Sequence, residues 1–596
     1  MLVVVLVLLA LVVLEGLRWK GSVQALRDAR TRIVAAHAQL DALPQHPDEA
    51  SVQQIRAELA AAAHDLGPGS AVLGNGFELK VLSHLPVVGA QARGVRAIRD
   101  AGAAAVAVAQ SALPTAEALI APGAEQHGTT ALQRIVHAVD AQPTLRADVD
   151  RALGRLQKAL DVLGGHHLWG PLGNAQRTVL TQGRQLAKTS GTAVDAAVAA
   201  HAALGGGPHR YLVLLGNPAE ERPGGGFLGV MGTIEVKDGA VTTSGFLDPN
   251  SLMDAVKDQP IPRPLDQYLF KGVPWDIADS NWSADFPTSA KQVATFWAEA
   301  EHQPVDGVLS VDPLAIAQIL RVLGPVHTPG FPQVITADNV FLELNLIANK
   351  IRPTDPGKDF LIAFGQQLVH TMQSAPGSKT VDLAKALAKA IPGQHVTLFM
   401  NDPVVQQVLV AHQLDGGLGP IPGSDQLLVA NANLSGGKND YFVQRATDVT
   451  VTVGKDGVVH HTVKLTLTQP APTDEIQRRL QPGSGGSYRD YLQLFLPQAA
   501  HMTDVTIDGK PGSPESITET LGLTDIAFWT IVDPGTTRTI TLTYDLPAGT
   551  PFTRFVVGKQ LQSLPSPLSV TVTWPDGTVS RATEAAHDAD LVLGHP

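Results

Sequence analysis

The chain has no cysteine. That absence removes disulfides, thiolate metal sites and a cysteine nucleophile together, while leaving the compartment open. Positive charge is also short. Lys and Arg number 44 against 56 Asp and Glu, a formal net charge of −12, and no local basic block offsets it. A nucleic-acid partner needs a basic face, so that class is excluded. Equally missing are the nucleotide loops: the glycine triplet Gly224 to Gly226 is not followed by Gly-Lys-Ser/Thr and does not open a helix, as a Walker or dinucleotide loop must. Neither a Ser–His–Asp order nor a zinc histidine motif stands out, and "DIADSN" lacks the spacing of an EF-hand.

What is present is length and a change of pattern along it. At 596 residues the chain exceeds a single core, and two to four domains are expected. It begins with the apolar run "MLVVVLVLLALVVL", Met1 to Leu14, continued to Leu17 and flanked by Arg18, Trp19 and Lys20. A bilayer core asks for about 20 residues, and no basic leader or small-x-small cleavage site is visible. Residues 1–19 are therefore expected to form an uncleaved single-pass membrane anchor in the cytoplasmic membrane. The following Arg27, Arg30 and Arg32 argue for a cytoplasmic flank by the positive-inside rule, against the outward placement considered below.

Residues 20–204 read as a helical stalk or bundle. Val23, Leu26, Ile33 and Leu40 recur near a 3.6-residue period, and Ala-rich helices follow between proline and glycine breaks. His166 and His167 lack a second pair at metal-ligand spacing. From residue 205 to 425 strands alternate with helices, the pattern of an α/β domain. "RYLVLLG" reads as a buried strand, Asp238-Gly239 as a hairpin turn, and Asp312-Pro313 as a helix start. The glycine triplet then serves as a corner between two strands. From residue 426 to 596, short strands separated by Gly/Pro/Asp turns predict a C-terminal β-sandwich. His460 and His461 are adjacent in one strand, so their side chains face opposite ways.

The segments "YLVLLGNPAEERPGGGFLG", "DSNWSADFPTSA", "PVDGVLSVDPLAIAQILRVLGPV", "NANLSGGKNDYFVQR", "YRDYLQLFLP" and "VVGKQ" resemble the bacterial domain of unknown function 4012 family, over roughly Arg210 to Trp574. The resemblance implies an outward-facing cell-envelope protein, often encoded among polysaccharide genes, and supplies no established reaction. Pro218 stands where the family's first motif carries a second Asn. A more distant likeness is to the LytR-CpsA-Psr family, whose strand–helix–Gly-Gly-Val segment is similar to "VDGVLSVDPLAIAQILRVLGPV". It implies a related α/β fold. The Pro-Arg-Asp strand end and late Arg-Ser-Arg motif of those glycan phosphotransferases have no clear counterpart here.

The candidate ligand site comprises Glu221, Arg222, Asn281 and the backbone of Gly224, Gly225 and Gly226, with Asp279 and Asp285 as the carboxylates that would hold Mg²⁺. Arg222 is expected either to pair with Glu221 or to take a phosphate in a bidentate grip. Three functions follow as expectations. The first is a protein that binds or helps to place surface polysaccharide, cell-wall polymer or lipid-linked glycan without chemistry of its own. The second is a phosphotransferase or hydrolase acting on a polyprenyl-pyrophosphate-linked glycan, favoured by a deep apolar tunnel ending at Arg222. The third is a structural envelope protein that contacts other proteins.

Overall fold

The computed structural model describes residues 24–33, 35–36, 49–71, 88–120, 131–256, 259–376, 379–481, 486–550 and 552–595. The chain divides into two compact units, Met1–Gly207 with Lys237–Ala240, and Pro208–Val236 with Val241–Pro596.

The first unit is helical: α1 Glu49–Leu66, α2 Val88–Ile120, α3 Ala131–Asp140, α4 Leu145–Gly164 and α5 Gly170–Leu204. In α4 the buried residues Leu145, Val149, Ala152, Leu156, Leu160 and Leu163 lie three or four apart. That spacing puts them on one stripe, which packs with α2 residues Ala101, Ala104 and Val108. Residues 1–19, where a membrane anchor is expected, lie outside the described residues. Among the described residues no helix is long and apolar enough to cross a membrane. The expectation of a single-pass membrane protein is corrected to that extent: no described helix supports it. Even the long helices are interrupted by charge, with Arg93, Arg96, Arg99 and Asp100 in α2.

The second unit opens with β1 Pro208–Arg222, β2 Gly225–Lys237 and β3 Ala240–Leu247. After α6 Phe286–Glu301 come β4 Gly307–Val311 and α7 Pro313–Leu323. Then α8 Val340–Ala348, α9 Lys358–Gln373 and α10 Thr380–Ala390 precede β5 Val396–Met400 and α11 Pro403–Ala411. The strands form a sheet of order β3-β2-β1-β4-β5. β1 and β4 are parallel, with Tyr211 opposite Gly307, and α6 supplies the crossover that parallel strands require. Asp285 and Asp312 cap α6 and α7 by accepting from the amides of Thr288 and Ala315, satisfying donors that a helix start leaves open.

The rest of the unit is two packed sheets. β6 Asp425–Ala430, β7 Gln444–Val453, β8 Val459–Gln469, β9 Tyr488–Pro497, β10 His501–Ile507 and β11 Lys510–Pro511 come first. β12 Ser516–Thr520, β13 Leu523–Val532, β14 Thr536–Leu546, β15 Arg554–Gly558, β16 Ser566–Thr573, β17 Val579–His587 and β18 Leu591–Gly594 complete them. One sheet runs β11-β10-β14-β8-β7-β16-β17, the other β12-β13-β9-β6-β15-β18. Between them Val463, Leu494, Phe528, Leu542, Tyr544 and Phe555 form a core. The second sheet is covered on its other face as well. Tyr491 and Ala527 join a cluster with Leu212, Leu214, Phe286 and Phe296 from the five-stranded sheet and α6. A strand buried on both faces loses the apolar/polar alternation, and β9, "YRDYLQLFLP", is buried at most positions on both sides.

Candidate functional site

β1 ends in Ala219, Glu220, Glu221 and Arg222, all buried. Successive strand residues point to opposite faces, so Glu220 and Arg222 share one face and Glu221 takes the other. Arg222 is 2% exposed. Its Nε donates to Asp279 Oδ1 at 2.5 Å and its Nη2 to Glu220 Oε1 at 3.1 Å. Nη1 donates to the carbonyls of Glu221 and Asn433 at 3.0 and 2.7 Å. The guanidinium lies 5.4 Å from the centre of the Phe227 ring, and Lys438, which donates to Glu220 Oε2, lies 5.1 Å from the same ring. The expected side-chain pair of Glu221 with Arg222 does not form, because strand alternation separates them.

Glu221 instead meets Arg445, whose Nη1 donates to Oε1 at 3.3 Å. Arg445 Nη2 donates to Asp440 and, at 2.8 Å, to the Tyr488 hydroxyl. Asp440 Oδ2 also accepts from the Glu221 amide at 2.9 Å. Burial pushes the Glu221 carboxyl up to about 7 despite Arg445, and carries Asp490 well above the ordinary carboxylate range. Glu220 moves the other way: burial would raise it, but Lys438 and Arg222 together hold it below its usual value. Lys438, Asp440, Arg445 and Asp490 were not among the residues expected here. The signal for the first three was the cluster of charge in "GGKNDYFVQR", a stretch too polar to be buried unless paired, while Asp490 sits within the apolar strand β9.

The glycine corner is closed by protein groups. The Gly224 amide donates to the Asn281 carbonyl at 3.1 Å, the Gly226 amide to Gln562 Oε1 at 3.1 Å, and Asn281 Nδ2 to the Gly226 carbonyl at 2.9 Å. Gly225 has φ +118°, which disfavours any residue with a Cβ. These amides are engaged, so they do not form an open anion nest. The carboxylates considered for Mg²⁺ are likewise engaged: Asp279 with Arg222, and Asp285 with Thr288 and the Leu418 amide. Among the described residues no group of three or more His, Asp or Glu could hold a metal ion. The structure thus gathers Glu221, Arg222, Gly224–Gly226, Asn281 and Asp279 in one place, as an enclosed ionic joint.

A second clasp lies nearby in the fold. His395 Nδ1 is 2.6 Å from Asp312 Oδ2, and Nε2 is 3.2 Å from both oxygens of Asp588. Burial favours the neutral ring and Lys559 opposes the charge, but Asp312 and Asp588 prevail and raise the imidazole to about 9. A folded-state value above the unfolded one near 6.5 means that this stabilisation is complete below about pH 6.5 and lost as pH rises through about 9. The expected loss is of order 3 kcal/mol. Urea midpoints from pH 6 to 10 should therefore decline for the wild type. In His395→Gln that decline should flatten; an unchanged slope in the variant would contradict the assignment.

A concave feature with polar groups lies elsewhere, on the outer face of the six-stranded sheet. Alternate residues of β9, β13 and β12 line up across it: Tyr491 beside Trp529, Gln493 beside Ala527 and Ser516, Phe495 beside Asp525 and Thr518. One wall is the short helical segment Arg263–Phe270 and another the loop Trp282–Ala284, which enclose a groove of about 340 Å³ with Glu515 on its rim. Tyr268 stacks on Trp529 at 4.0 Å and 9°, and Trp282 lies 5.8 Å from Tyr491. Gln493 Nε2 donates to Asp525 Oδ2 at 2.8 Å, and the Tyr491 hydroxyl lies 3.2 Å from Ser516 Oγ. Sequence reasoning missed this groove, because its rings come from four segments and gather only when the sheet pairs.

Residues 206–346 match the family model described as "Protein of unknown function (DUF4012)". That stretch runs from the start of β1 through the glycine corner into α8. Comparison with curated protein sequences gives no match. Among solved structures, part of the chain is similar to leukotriene A4 hydrolase from Saccharomyces cerevisiae, with 13% identity, 25% of this chain and 27% of that one covered, and a TM-score of 0.17. Another is an M1 zinc metallopeptidase from Deinococcus radiodurans, with 13% identity, 23% and 32% coverage, and a TM-score of 0.14. The chain spans about a third or less of the length of these proteins, and likenesses at such scores carry no inference about fold or activity.

Proposed function

We propose that this protein binds glycan in the aromatic groove and performs no chemistry of its own. The observation that carries the reading is the pairing, in one 340 Å³ concavity, of the rings of Tyr268, Trp282 and Tyr491 with the planar polar groups of Gln493, Asp525 and Gln267. Sugar rings present an apolar C–H face and an edge of hydroxyls, and a site of this type meets both. The volume falls within the range of small-ligand pockets, about 300–1,000 Å³.

The phosphotransferase reading, suggested by the LytR-CpsA-Psr likeness, would use Arg222 as a phosphate ligand. Arg222 has its Nε and both terminal nitrogens committed to Asp279, Glu220 and two carbonyls. A phosphate would have to displace a buried carboxylate to reach it, which costs more than such a contact returns.

Binding of the intact protein to an array of immobilised glycans tests the proposal. Wild type should retain a discrete set of glycans, and Trp282→Ala should weaken them at least about tenfold, as loss of an aromatic anchor does. Tyr268→Ala should act in the same direction. Binding unaffected by either variant, or no retained glycan at all, would sink the proposal.

A further inference from the structure

The groove is short of positive charge. Its lining carries two carboxylates, Glu515 at the exposed rim and Asp525 on the floor, against one guanidinium, Arg263, also at the exposed rim. An exposed guanidinium is screened by water and offsets little. Asp525 is 7% exposed; Gln493 satisfies its Oδ2, while Oδ1 has no protein partner. That oxygen is enclosed by protein, so what Asp525 brings to the groove is its charge, not an open acceptor. Burial and the neighbouring Glu515 carboxylate raise the Tyr268 hydroxyl to about 12.

We propose that the groove selects a sugar unit that bears no negative charge, with Asp525 as the residue that sets this specificity. The inference rests on the glycan-binding reading above and narrows it. The C–H face of the ring lies toward Tyr268 and Trp282. A uronate or a phosphate at the same unit would bring a second anion beside a carboxylate that water hardly reaches, where like charges repel strongly. Burial raises Asp525 to about 6, so it is ionised at pH 8 and protonated at pH 5. The groups that face it, Glu515, Arg263, Tyr268 and Tyr491, include only one other carboxylate, and that one is exposed.

The test uses the intact protein on an array carrying matched pairs: neutral oligosaccharides and the same backbones bearing uronate or phosphate. At pH 8 wild type should bind the neutral member at least about tenfold better. Asp525→Asn should narrow that gap to under about threefold, and so should wild type at pH 5, where no mutation is involved. Trp282→Ala should weaken both members together. Equal or better binding of the anionic member by wild type at pH 8 would overturn the inference and leave the glycan reading standing. So would a gap that persists both in Asp525→Asn and at pH 5. Failure to bind either member of any pair would remove the glycan reading itself, and this inference with it.

Discussion

Arg222→Ala is expected to lower the stability of the Pro208–Pro596 unit by about 3–5 kcal/mol, the usual result of removing one partner from a buried ion pair. The mechanism is specific. Asp279 loses the one cation bonded to it among the described residues, and the carbonyls of Glu221 and Asn433 lose a shared donor. Glu220 keeps Lys438, which bounds the damage. The residue joins β1, the Asp279 turn and the segment after β6, so the thermal midpoint should fall clearly. Binding at the aromatic groove, measured on the remaining folded protein at low temperature, should change little. Arg222→Lys retains the charge but not the planar fork, and should recover only part of the loss. An unchanged midpoint in Arg222→Ala would mean that the joint does not hold the unit together. A wild-type midpoint with abolished glycan binding would restore Arg222 as a ligand residue.

Gly226→Val should be at least as severe. A Cβ on Gly226 would sit 2.2 Å from the carbonyl carbon of Asn217 and 2.4 Å from its nitrogen and oxygen. These are backbone atoms of the neighbouring strand, so no rotamer change relieves the contact. Overpacking inside a core costs about 1–3 kcal/mol when side chains can yield, and here they cannot. The variant is expected to fail to accumulate as folded protein, or to do so only well below the wild-type midpoint. Recovery of soluble protein with a wild-type melting curve would show that β1 and β2 are not held this closely. Gly206→Ser, which has no neighbour within 4 Å although its φ is +78°, gives the contrast: backbone strain alone, with a modest effect.

Much of the architecture is legible from local pattern. The spacing in α4, the Asp312-Pro313 start of α7 and the Asp238-Gly239 turn are each set by a few adjacent residues, and each is found. The opposite facing of His460 and His461 follows from strand alternation alone. His460 is half-exposed beside Asp545, whereas His461 is fully buried, 2.6 Å from Asp425 and stacked on Tyr544 at 4.2 Å. The glycine triplet is a corner between strands, as its surroundings indicate.

The site is less legible because its partners are distant in sequence. Arg222 reads as a free cation beside Glu221 until alternation turns Glu221 away. Asp279 then arrives from 57 residues downstream and Asn433 from 211. Nothing local in the Glu220–Arg222 stretch announces Lys438. The groove is harder still: Tyr491, Gln493 and Phe495 read as one face of a core strand, and only the pairing of β13 and β12 sets Asp525 and Ser516 beside them. The apolar run Met1–Leu17 lies outside the described residues, among which no helix is long and apolar enough to cross a membrane.

The most direct measurement is a crystal structure of the intact protein grown with a neutral oligosaccharide taken from the array hits. One sugar ring should lie in the groove lined by Asp525, with its C–H face toward Tyr268 or Trp282. The Arg222 joint should be unchanged, with its bonds to Asp279 and Glu220 intact. Sugar bound at another surface, with the groove filled only by solvent, would contradict the proposed function, and so would a ligand that displaces Asp279 from Arg222.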